Sequence, residues 1–133
     1  MAVWRRVVGI ALGAMCLSGT VLAQDIAEIR DLLRAERYEQ ALDLLVVRVR
    51  AEPDDTEARF LQGVALVELG RNDEALGVFE RLTQDHPELP EPYNNLAVLY
   101  AARGDHDGAR DALLRAISTH PSYATAHENL GDI

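Results

Sequence analysis

Residues 93–121 read YNNLAVLYAARGDHDGARDALLRAISTHP. The spacing of apolar residues predicts a helix over 93–103, a turn at Gly104-Asp105 and a second helix over 109–119. Pro121 stops the second helix, because it lacks an N–H and its ring clashes with the preceding turn. The preceding stretch has the same order. Phe60, Leu61, Val64, Ala65, Leu66, Val67 and Leu69 form a wide apolar face on a predicted helix. Gly70 is placed to take the left-handed conformation that closes it. Asn72 or Asp73 is expected to cap a second helix, which carries Ala75, Leu76, Val78, Phe79 and Leu82 on one side and ends before Pro87.

These markers share one period. Pro53, Pro87 and Pro121 are spaced by 34 residues, as are Ala41, Ala75 and Ala109. Gly70 and Gly104, His86 and His120, and the small residues Gly63, Ala97 and Gly131 keep the same interval. Each period is therefore a helix–turn–helix hairpin. One hairpin cannot bury its apolar face in water, whereas stacked hairpins can. Gly63, Ala97 and Gly131, with Ala75 and Ala109 opposite, are expected where the two helices of a hairpin come closest.

At this level of detail the chain resembles the tetratricopeptide repeat family, whose 34-residue pattern is W-x2-L-G-x2-Y, A-x3-F and P. The third unit fits it as Tyr93-x2-Leu96-Ala97-x2-Tyr100, Ala109-x3-Leu113 and Pro121. The second reads Arg59-x2-Gln62-Gly63-x2-Leu66, Ala75-x3-Phe79 and Pro87; it departs at Arg59 and Gln62. The first is degenerate, keeping Ala41-x3-Leu45 and Pro53, as suits a solenoid end that meets solvent. A fourth begins as His127-x2-Leu130-Gly131. The resemblance implies an all-α, right-handed solenoid with units at about 24–53, 54–87, 88–121 and a partial 122–133. Such a short final helix with apolar Ile133 at its end is a poor cap, and favours a chain that continues into a longer protein. Modest stability and fraying over 124–133 are expected.

The first 23 residues read as a leader. Arg5 and Arg6 are followed by an apolar run from Val7 to Leu22 and by Val21-Leu22-Ala23, the plan of a secretory signal peptide cut between Ala23 and Gln24. An uncleaved anchor is the competing reading, but the run falls short of the roughly 20 residues that span a bilayer. The surroundings of Arg5-Arg6 do not resemble a twin-arginine motif. Ala14-Met15 does not present the small residue that precedes a lipoprotein cysteine, so Cys16 reads as part of the apolar run. The expected mature segment, 24–133, lacks cysteine, which suits an oxidising compartment. An exported, periplasmic bacterial protein is the expectation.

Composition narrows function further. Of 133 residues, 48% are apolar and 26% charged, enough for a packed core. All 13 basic residues are arginine, against 22 acidic residues, giving a net charge of −9. Without Arg5 and Arg6, eleven arginines face the same 22 acids, a charge of −11 for the mature segment. A nucleic acid is a poor partner for such a surface.

No reaction is legible. His86, His106, His120 and His127 form no H-E-x-x-H pair, Ser118 and Ser122 lack a nucleophile-elbow context, and no phosphate-binding glycine motif is present. Asp54-Asp55 and Asp105 with Asp107 have no calcium loop around them; Asp54-Asp55 favours the start of a helix. The chain is therefore expected to be non-catalytic, with no metal and no cofactor.

The resemblance implies that first helices of successive units line a concave groove for a protein or peptide partner. Its residues would be Arg30, Leu33 and Arg34 in the first unit and Glu57, Phe60, Val64 and Val67 in the second. Glu91, Asn94, Asn95 and Val98 would follow in the third, and Thr125, Glu128 and Asn129 in the fourth. Asn95 and Asn129, one repeat apart, could hydrogen-bond an extended peptide or serve helix–helix contacts. Acids stand where a carboxylate-clamping groove would need bases, so a basic or amphipathic segment of an envelope protein is the expected partner. The expected role is an interaction scaffold of the cell envelope, or the recruiting arm of a larger envelope protein.

Overall fold

The computed structural model describes residues 21–133. Most of the expected leader, 1–20, lies outside the described residues, and the cut after Ala23 would fall in the first turn of the first helix. Seven helices follow in order: α1 (Val21–Arg34), α2 (Tyr38–Ala51), α3 (Thr56–Glu68), α4 (Asn72–Asp85), α5 (Pro90–Ala102), α6 (His106–Thr119) and α7 (Ala124–Gly131). Each packs chiefly against the helix before and the helix after it. The result is an all-α solenoid of three hairpins and one further first helix. Its core is a continuous strip that includes Ile29, Leu45, Phe79, Leu82, Leu96 and Leu113.

The hairpin turns explain the recurring glycines. At the end of α3, the Gly70 N–H donates to the Val67 carbonyl at 2.9 Å and the Arg71 N–H to the Leu66 carbonyl at 2.8 Å. This Schellman closure needs positive φ, and Gly70 has φ 71°. Gly104 repeats it at φ 78°, with its N–H donating to Ala101 and that of Asp105 to Tyr100. The first unit makes the same bonds, Glu36 to Leu33 and Arg37 to Leu32, but Glu36 holds the left-handed position at φ 58°. A side chain there costs about 1–2 kcal/mol. The degeneracy of the first unit is thus a strained stop.

Two local expectations are corrected. Neither Asn72 nor Asp73 caps α4. The N-cap is Arg71, which makes no capping bond and instead holds Glu74 through two hydrogen bonds of 2.7 Å. In α6 the equivalent position is Asp105, which does accept from the Gly108 N–H at 2.9 Å. A β-carbon on Gly131 would meet nothing within 4 Å, because among the described residues α7 has no second helix of its own unit beside it. Gly63 does mark a close contact: a β-carbon there would lie 2.5 Å from the Phe79 ring.

Asp55 joins the first two units. It caps α3 by accepting from the Ala58 N–H at 2.9 Å, and Arg48 of α2 donates to it at 2.6 Å. Burial raises its carboxyl pKa. The Ala58 N–H, the hydrogen bond and charge of Arg48, and the Glu57 N–H together outweigh that and hold the pKa below the usual value. The folded pKa lies below the unfolded one, so this stabilisation is present above the ordinary aspartate range and is lost as pH falls through the folded value.

Two outcomes are expected in denaturant titrations. Glu36→Gly raises stability by about 0.5–1 kcal/mol, the relief of left-handed strain less the added flexibility of glycine. Asp55→Asn, which keeps a capping oxygen, lowers stability near neutral pH by about 1 kcal/mol. It also flattens the loss of stability that the wild type shows on acidification.

Candidate groove on the first-helix face

Position along α3 and α5 decides which side chains can meet a partner. Tyr93, Leu96 and Tyr100 occupy one face of α5; Glu91, Asn94 and Val98, two residues out of step, occupy the opposite one. On that second face lies a cavity of about 370 Å³ lined by Thr56, Glu57, Phe60, Leu82, Leu89, Glu91 and Pro92. Its wall is mostly apolar. Phe60 is half-buried and meets Phe79 edge-on at 5.7 Å, so the ring that closes the second hairpin also holds the cavity wall in place.

The structure brings Glu57, Phe60 and Glu91 together at this cavity, with Val64 half-buried on α3 and Val98 49% exposed on α5. Arg30 reaches from α1 and donates its Nε to Glu57 Oε1 at 2.9 Å; its Nη2 donates to the same oxygen. Arg34 pairs with Asp31 on its own helix at 2.7 Å, and Glu128 is exposed on α7.

The asparagines divide. Asn94 is 7% exposed and accepts from Asn129 Nδ2 at 2.8 Å, a bond that ties α7 to α5. These two serve a helix–helix contact. Asn95 is half-exposed and donates to the Glu91 carbonyl at 2.9 Å. Leu82, Leu89 and Pro92 were absent from the residues expected by resemblance. They come from the end of α4 and the start of α5, where first-helix spacing carries no signal for them. Leu82 had been legible as an apolar residue of the second helix.

A larger cleft, about 480 Å³, lies on the other face of α5 and includes Thr83, Tyr93, Leu96, Tyr100, Ala112 and Arg115. Both tyrosine hydroxyls there have partners 3.4 Å away, Tyr93 with the Thr83 carbonyl and Tyr100 with Glu80. Burial, then the charge of Glu80, raises the Tyr100 pKa. The smaller cavity is the better candidate, since half-buried Phe60, exposed Val98 and a carboxylate, Glu91, with no cation paired to it among the described residues accompany it.

His86, His120 and His127 serve turns. His86 shares a 3.1 Å hydrogen bond with Thr56, and His127 one of 2.8 Å with the Pro121 carbonyl. Ser122 and His120 are 3.4 Å apart in an exposed turn. Among the described residues no three His, Cys, Asp or Glu side chains are grouped to hold a metal, and no helix is long and apolar enough to cross a membrane.

Comparison with known proteins gives a consistent picture. Two family models, both described as tetratricopeptide repeat, match residues 26–90 and 66–130. The TPR repeat-containing thioredoxin TTL4 of Arabidopsis thaliana is 33% identical over 86 residues, covering 65% of this chain and 13% of that protein. The chain thus spans a small part of that relative. The crystal structure of YrrB, described as a TPR protein with an unusual peptide-binding site, aligns with a TM-score of 0.75 at 30% identity. The alignment covers 80% of this chain and 55% of that one. PcrH from Pseudomonas aeruginosa shares the fold, with a TM-score of 0.80 at 20% identity over 87% of this chain and 93% of that one.

Because Phe60 leans on Phe79, it is part structure and part surface. Phe60→Ala is expected to cost about 2 kcal/mol in thermal or denaturant unfolding, while Asn95→Ala, half-exposed, leaves the unfolding transition close to wild type.

Proposed function

Since this chain belongs to the tetratricopeptide repeat family, we propose that it is a non-catalytic interaction scaffold of the bacterial cell envelope. It holds a peptide or helical segment of another protein in its groove. The observation that carries this reading is the apolar cavity between α3 and α5, continued by exposed Val98 on the same face. Around buried Leu82 and Pro92, Phe60 and Leu89 stay half-buried and Val98 stays exposed, so the neighbouring unit covers this apolar surface only in part. A partly exposed apolar surface beside Glu91, with Glu57 already paired to Arg30, suits a partner with apolar anchors and positive charge. The peptide-binding site ascribed to YrrB supports the assignment of a ligand class. The envelope location rests on the leader sequence alone.

Partner capture is the direct test. Val98→Asp places a charge on the exposed strip without touching the core. Quantitative crosslinking and recovery from envelope extracts is expected to fall at least about tenfold, with the melting transition preserved. Equal recovery by wild type and variant would remove the groove from the function. The intact mass of the natural protein tests the location: a mass matching Gln24–Ile133 agrees with export and cleavage. A much larger mass would make the array the recruiting arm of a longer protein.

A further inference from the structure

Neighbouring units offer an internal comparison. Glu91 stands 34 residues after Glu57, and Val64 stands 34 residues after Arg30. Between the first two units a guanidinium from α1 covers the carboxylate on α3. Between the next two the carboxylate recurs on α5, but the residue of α3 at the cation's position is Val64. Glu91 is exposed, and among the described residues no cation pairs with it. Beside it lie the apolar cavity wall of Phe60, Leu89 and Pro92 and half-buried Tyr123, whose pKa is raised by burial and then by the Glu91 charge; Thr56 and the Arg30-paired Glu57 line the same cavity. The α5 N-terminus favours a carboxylate in its first turn, yet contributes only about half a positive charge. The net charge at the cavity mouth stays negative.

Resting on the groove reading above, we propose that Glu91 anchors an arginine of the partner segment. Its guanidinium would take over Glu91 the place that Arg30 takes over Glu57. The arginine's methylene stem would lie along Val64 and the cavity wall, as long cationic side chains do on apolar surface. Arginine suits the site better than lysine, because its planar fork can hold one carboxylate with two donors, as Arg30 does. The partner is therefore an apolar segment carrying arginine. Its approach is aided by the net negative charge of the chain.

The test pans random dodecapeptides displayed on phage against the immobilised full chain. A selected peptide is then labelled with fluorescein and compared with a copy in which arginine is replaced by citrulline, which has the same shape without the charge. Expected are selected sequences containing arginine among apolar residues, and citrulline weakening of about tenfold or more against wild type. In Glu91→Gln that penalty should shrink to about twofold or less. In Val64→Arg, which supplies an internal guanidinium as the first unit does, it should also disappear. Selected peptides without arginine, or an equal citrulline penalty in Glu91→Gln, would overturn the proposal. If binding is sensitive to Val98→Asp but not to citrulline, the anchor fails and the groove stands. Binding insensitive to both, or no peptide selected, would sink both.

Discussion

The ring of Phe79 lies where a β-carbon on residue 63 would have to be. That contact sets how closely α3 and α4 approach, and the rest of the middle unit follows from it. A side chain at residue 63 would push the ring away, at a cost of roughly 1–3 kcal/mol. The same ring supports Phe60 edge-on, and Phe60 forms a wall of the cavity on the first-helix face. Core packing and the proposed binding surface are therefore two sides of one aromatic pair. This coupling is typical of a solenoid, in which each hairpin is both buried neighbour and exposed lining.

Helix stops distribute stability unevenly along the array. The second and third units end their first helices on glycine, at φ 71° and 78°, without steric cost. The first unit makes the same two backbone bonds with Glu36 in the left-handed region. At the opposite end, α7 has one side covered. Ala126 is buried, and the Asn129–Asn94 bond ties it to α5. The middle of the array carries the glycine-closed turns and also the cavity.

Charge is arranged by the repeat as well. Arg30 with Glu57, Arg48 with Asp55 and Arg103 with Asp73 each join helices of adjacent units. Exposed pairs of this kind contribute little to stability. The 12–14% exposed Arg48–Asp55 pair is different, because it also caps α3. The value of the others lies in which carboxylates they leave unmatched. Replacement of an arginine by Val64 one repeat later leaves Glu91 open beside apolar surface. It is this departure from the repeat that the proposed partner contact rests on.

The sequence by itself determined the hairpin number, the turn positions and the family. A 34-residue period of Pro, Gly and Ala records backbone requirements: a residue without an N–H, a residue at positive φ, a residue small enough for helix contact. These requirements are local, and so they are written locally. That Glu57, Phe60 and Glu91 come to one face was legible for the same reason, since helical spacing fixes which side chains share a face. Asn94 and Asn129 are expected in the groove from the repeat, whereas the fold makes them partners of each other, because their bond spans two units. Leu82, Leu89 and Pro92 were missed for a related reason: they reach the cavity from a second helix and from the start of α5. The absence of a capping bond from Asn72 or Asp73 also required the fold, as did the open surroundings of Gly131. Only the tertiary structure decided these points. The distance between one hairpin and the next is set by side-chain volume and packing across units, which no local pattern encodes.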